Sequence, residues 1–124
     1  MKTMIKTAAI AAITASAFIG MNANAGAEAK CKACHDFGTA NKVGPGLKGI
    51  MGNKAGATSF SKYSKSLKNA DFIWTEENMR LWLGDGKKAI KELTGDPKAK
   101  TTMPSMRLKG EKLDEIIEFL KELK

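Results

Sequence analysis

Histidine is nearly absent from this chain and cysteine is scarce: its 124 residues include one His and two Cys. That scarcity excludes several chemistries. A zinc site closed by four cysteine or histidine ligands cannot be assembled from three such side chains. A thioredoxin-like dithiol wants a βαβ surround, and no run of β-branched residues suggests a sheet. No basic run interleaved with aromatics offers a nucleic-acid surface. Internal repeats and low-complexity tracts are lacking as well.

Long apolar runs are also missing. Ala8 to Gly20 is apolar, mostly small, and too short for a comfortable membrane span. Lys2 and Lys6 precede it and Ala23-Asn24-Ala25 follows, the pattern of an export signal cut before Gly26. The expected division is therefore a signal peptide over 1–25 and one domain over 26–124, with no stable membrane insertion after cleavage. The signal carries two lysines and no acid, so the formal charge of +8 falls to +6 in the mature chain. Its lysines are spread from Lys30 through Lys109 and beyond, which suits docking onto acidic-faced partners.

The three scarce side chains stand together, as Cys31-Lys32-Ala33-Cys34-His35. Residues three apart share a helical face, so Cys31 and Cys34 can each add through sulfur to one vinyl group of a haem. His35 can then reach the iron through an imidazole nitrogen. A disulfide would strain against a helical C-x-x-C and leave His35 unexplained.

The rest reads as short helices and loops. The attachment run is expected on a short helix from Gly26 that ends near Asp36. Leu47, Ile50 and Met51 fall at helical spacing between Gly49 and Gly52, predicting one helical turn. Tyr63 to Leu67 predicts another. Thr75-Glu76-Glu77 is a helix start, followed by Met79, Trp82 and Leu83 on one face. Gly84-Asp85-Gly86 stops that helix, and Ala89, Ile90 and Leu93 predict a further one closed by Gly95-Asp96-Pro97. Lys98 to Leu108 is expected to be irregular. Leu113, Ile116, Ile117, Leu120 and Leu123 form the clearest apolar stripe, with Phe119 beside it. The fold class is all-α.

An iron held by His35 needs a second ligand or an open position. The mature chain offers Met51, Met79, Met103 and Met106. Met51 and Met79 sit on apolar helical faces and read as core filling. Met103 lies in a proline-bearing loop, where packing does not call for a thioether, and is preferred to Met106. A thioether opposite an imidazole favours ferrous iron and suits electron transfer.

Taken in order, the attachment run, Gly44-Pro45-Gly46-Leu47-Lys48-Gly49, Phe72-Ile73-Trp74-Thr75-Glu76-Glu77-Asn78, Lys100-Thr101-Thr102-Met103 and a terminal helix with Ile116 and Phe119 resemble class I cytochrome c, of the mitochondrial and bacterial cytochrome c2 type. The resemblance spans nearly all of 26–124. It implies a cytochrome c fold, several short helices and loops wrapped around one covalent haem c. It implies that the Pro45 carbonyl accepts the His35 ring N–H, that Trp74 and Tyr63 bond haem propionates, and that Met103 is the axial methionine. Ile116 and Phe119 would pack on the N-terminal helix. The chain departs from the pattern where that helix is cut short with Ala27 as its apolar residue, at Asn53 in place of an arginine, at Trp82 in place of a tyrosine that bonds the axial sulfur, and in a longer segment from Gly84 to Ala99. The implied function is that of a monomeric periplasmic carrier of one electron between redox complexes, not an enzyme. The alternative is a haem protein whose Met103 bond is labile or absent, acting on peroxide or sensing a gas; His35 leaves no second histidine for peroxide chemistry.

Overall fold

The computed structural model describes residues 28–124, and the expected signal segment, 1–25, lies outside the described residues. The described helices are α1 (Ala29–Lys32), α2 (Lys65–Lys68), α3 (Glu76–Gly84), α4 (Gly86–Thr94) and α5 (Gly110–Glu122). The pairing of extended chain among the described residues is one isolated antiparallel bridge, Lys54 with Ile73.

Local chemistry sets the helix ends. Thr75 Oγ1 accepts the Asn78 N–H at 3.1 Å, with Glu76 and Glu77 in the first turn, where the helix dipole favours acids. Ser64 caps α2 in the same way through the Leu67 N–H. Asp85 serves two helices. Its N–H closes α3 on the Leu81 carbonyl at 3.1 Å, and its carboxylate accepts the Lys88 N–H at 3.3 Å to start α4. Gly95, at φ 72°, ends α4 in the left-handed region that a side chain would disfavour.

Helix α5 buries Ile116, Ile117 and Leu120 against α3, and α4 packs on α3 through Ala89 and Ile90. Ile90, Ile116 and Ile117 are fully enclosed, each worth about 1.5–3 kcal/mol relative to exposure. On the outside, Arg80 joins Glu76 at 3.2 Å and Asp114 at 2.8 Å, while Lys121 reaches Glu76 at 2.8 Å. Exposed pairs of this kind are screened by solvent and contribute little, so the apolar seam dominates.

Two local expectations are corrected. Helix α1 stops at Lys32; beyond it the Cys34 and His35 N–H groups both turn back to the Cys31 carbonyl, at 3.1 and 2.9 Å. Leu47 to Met51 is not a helical turn. The Ile50 N–H donates to Leu47 and the Asn53 N–H to Ile50, and Gly49 (φ 71°) and Gly52 (φ 92°) make these two successive tight turns. Phe119 meets Phe37, edge to face at 4.8 Å. The segment from Lys98 to Leu108 carries no helix, as expected, and is closed by the Leu108 N–H on the Leu83 carbonyl at 3.0 Å.

Candidate haem-binding site

The His35 imidazole is the most tightly fixed side chain of the site. It is buried, and its Nδ1 lies 2.7 Å from the Pro45 carbonyl, which can only accept, so Nδ1 carries the proton. Nε2 then keeps its lone pair for a metal. The chain around Pro45 is woven into the attachment turn by backbone bonds. The Gly44 N–H donates to the Cys34 carbonyl at 2.8 Å and the Leu47 N–H to the Asp36 carbonyl at 2.9 Å. The Gly46 N–H is held by Asn41 Oδ1 at 3.2 Å. Gly44 lies so close that a Cβ there would sit 2.5 Å from His35 Cε1.

Cys31 is buried and Cys34 half-buried, and both are free thiols. Burial pushes the Cys31 thiol above its ordinary value, with the Glu28 charge adding to the effect. One turn of chain separates the two sulfurs, so both face the space that His35 faces.

That space is a cavity of about 1120 Å³, mouth included, with an overwhelmingly apolar wall. The eight residues expected to bind or ligate the haem all line it: Cys31, Cys34, His35, Pro45, Tyr63, Trp74, Trp82 and Met103. Trp74 and Trp82 are buried and meet edge to face at 5.3 Å. Phe72 flanks Trp74 at 5.0 Å in the same way, so the indole is boxed in on two sides. The Tyr63 hydroxyl pairs with Thr58 Oγ1 at 2.5 Å, and its ring lies edge-on to Phe60 at 5.1 Å. Ile116 and Leu120 of α5 close the wall beside them. Asn53 and Lys54, where the resemblance left a charge to be offset, are exposed and not on the cavity wall.

The irregular segment brings Thr102, Met103, Pro104 and Met106 to the wall of the same cavity. Both methionines are half-buried and pack on the core. The Met103 N–H is turned in by Thr101 Oγ1 at 3.2 Å, and the Lys100 N–H by Ser66 Oγ at 2.9 Å. Met79 is buried and also lines the cavity, so its thioether is both core and wall; Met51 packs on the core without reaching the cavity.

The donor set fits a haem. Two thiols, an imidazole with its second nitrogen already committed, and a thioether converge on one apolar slot, and Gly44 gives the ring of His35 room that any side chain would take. No family model matches the chain. Cytochrome c2 of Rhodospirillum rubrum is 39% identical over 124 residues, covering 94% of this chain and 92% of that protein. The chain belongs to the class I cytochromes c, of the cytochrome c2 type. Solved cytochrome c2 structures agree: that of Rhodobacter sphaeroides superposes with a TM-score of 0.70 at 32% identity, over 82% of this chain and 94% of that one. That of Rhodospirillum centenum gives 0.71 at 27%, over 83% and 97%. The cofactor of this cytochrome is one covalent haem c, and its class of function is electron transport. Among the described residues no helix is long and apolar enough to cross a membrane.

Sequence reasoning missed the second tier of this site. Ser66 and Thr58, which hold the methionine segment and Tyr63, carry no local signal, because their partners lie 34 and five residues away. The Asp85 to Ser105 bond, spanning 20 residues, was equally hidden.

Proposed function

We propose that the chain is exported, loses residues 1–25, and works in the periplasm as a carrier of one electron between larger redox proteins. The observation that carries this reading is the convergence of Cys31, Cys34, His35 and Met103 on one apolar cavity, with His35 Nδ1 bonded to Pro45. Cys31 and Cys34 would hold the haem through two thioethers, and His35 Nε2 and Met103 Sδ would be the iron ligands. When bound, haem c supplies a ferrous–ferric couple.

The remaining work falls to the chain. The Pro45 carbonyl keeps His35 in one tautomer and raises its donor strength. Trp74 and Tyr63 of the cavity wall would bind the propionates, and the Trp82 indole N–H would meet the Met103 sulfur. The apolar wall excludes water, so little reorganises when charge changes by one. Lys30 and Lys62 line the cavity, beside an exposed Val43 (73%), which suits brief docking of an acidic-faced partner around an apolar spot. No substrate pocket is required, and a monomer suffices.

The test is a purified periplasmic extract. The expected product is coloured, has the mass of residues 26–124 plus one haem, keeps its haem after denaturation, and has a ferric spectrum with a thioether-to-iron charge-transfer band. A high-spin ferric spectrum would favour peroxide chemistry or gas sensing instead.

A further inference from the structure

From Lys100 to Leu108 the chain passes through Met103 without helix or strand, so isolated bonds decide where it lies. Ser66 pins it before the methionine, at the Lys100 N–H, and Leu83 pins it after, at the Leu108 N–H. Between those pins, among the described residues, the hydrogen bond that reaches furthest from the loop is Ser105 O–H to Asp85 Oδ1, at 2.8 Å. The Lys87 N–H points at the same Ser105 oxygen from 3.5 Å. Arg107, φ 55°, holds a non-glycine backbone in the left-handed region inside the same stretch. That strain favours release, and Asp85 opposes it, being close enough to Arg107 to feel its charge.

We propose that Asp85 and Ser105 form a latch that holds the methionine loop against the cavity, making Asp85 a positioning residue for the Met103 thioether as well as the cap of α4. The inference rests on the reading of Met103 as the second iron ligand. A hydroxyl bonded to a carboxylate is charge-assisted, yet this one is open to solvent, so the latch biases the loop rather than locking it. Because the same carboxylate also accepts the Lys88 N–H, the loop and the α3–α4 junction share one anchor.

The experiment uses ferric holoprotein with imidazole as the probe, since an outside ligand can enter only when the loop swings away. Ser105→Ala and Asp85→Ser are each expected to speed imidazole capture roughly three- to tenfold, the range a single net hydrogen bond spans. Serine at 85 still caps α4 but is too short to keep both acceptors. Asp85→Asn, which retains an oxygen in place, stays within about twofold of the parent, and the double variant Asp85→Ser with Ser105→Ala is no faster than the faster single one. Amide exchange at Met103, Ser105 and Met106 rises in the same order, while α4 stays protected in Ser105→Ala. Unchanged capture and unchanged exchange in Ser105→Ala would overturn the latch, as would additive effects in the double variant. If the parent protein takes up imidazole with no loop-limited phase, the ligand reading of Met103 fails. Loop exchange in Ser105→Ala then decides the latch alone: faster exchange upholds it and unchanged exchange overturns it.

Discussion

On the histidine side of the cavity, backbone atoms hold the site: His35 leans on the Pro45 carbonyl at 2.7 Å, Gly44 bonds Cys34 at 2.8 Å, and Leu47 bonds Asp36 at 2.9 Å. On the methionine side, apart from the backbone pin of Leu108 on Leu83, side-chain hydroxyls hold it: Ser66 on Lys100, Thr101 on Met103, and Ser105 on Asp85. A backbone mesh is dense, short-ranged and hard to alter by one substitution. A set of hydroxyl pins is sparse, and each can be removed separately. The first side is therefore expected to stay put when the second yields, which suits a ligand pair with one permanent member and one that the protein can tune.

The comparison breaks most completely at Gly44. Gly44→Ala places a Cβ 2.5 Å from His35 Cε1, and ring or backbone must move. We expect destabilisation of about 3 kcal/mol or more and a fall in holoprotein yield, read by thermal unfolding and haem content. Gly49→Ala is the control, since nothing lies within 4 Å of its Cβ and its penalty of about 1–2 kcal/mol comes from φ 71° alone. Equal losses in the two would mean that the close approach to His35 is unimportant.

Ile116→Ala is next. Ile116 is fully buried and lines the cavity from α5, so a loss of about 2–4 kcal/mol in denaturant unfolding is expected. Because Ile116 and Leu120 of α5 belong to the cavity wall, imidazole capture and haem retention should worsen together. Worsening of one alone would show that the two sides are less coupled than their common floor implies.

Ser66→Ala removes a pin on the methionine side only. It should cost about 0.5–1.5 kcal/mol and weaken the charge-transfer band on warming, with the His35 signals in proton spectra unmoved. A shift at His35 as large as that at the loop would contradict the division drawn above.

The smallest effect is the pH dependence of the outer ion pairs. Hydrogen bonds from Lys121 and Arg80 hold the Glu76 carboxyl below its usual value. A depressed folded pKa contributes stability above the unfolded value, near 4.5, that is lost as pH falls through the folded one. Glu76→Gln should thus lower the neutral plateau slightly, leave the acid end almost unchanged, and so flatten the acid limb between them. An equally steep acid limb would place that loss elsewhere. Neither side of the cavity should respond, because Glu76 is on the solvent face.

The same contrast explains what was legible in the sequence. Cys31, Cys34 and His35 could be read because the motif itself fixes their geometry, and Pro45 because its surroundings resemble those of the family. The α3 and α5 stripes could be read from helical period, and Thr75 from its place before two acids. Leu47 to Met51 misled, since apolar spacing suggested a helix where left-handed glycines at 49 and 52 impose turns. Phe37 as a partner of Phe119 was hidden because the two rings lie far apart in the chain and nothing local marks the pair. Ser66, Asp85 and Ser105 act through tertiary contacts that a linear chain does not advertise.

The central claim is that His35 and Met103 are the two protein ligands of a haem joined to Cys31 and Cys34. The most direct measurement is the ferric charge-transfer spectrum of holoprotein carrying Met103→Ala beside that carrying Met106→Ala. The account predicts that the thioether band vanishes in the first and persists in the second. A band that survives Met103→Ala, or is lost in Met106→Ala, would contradict it.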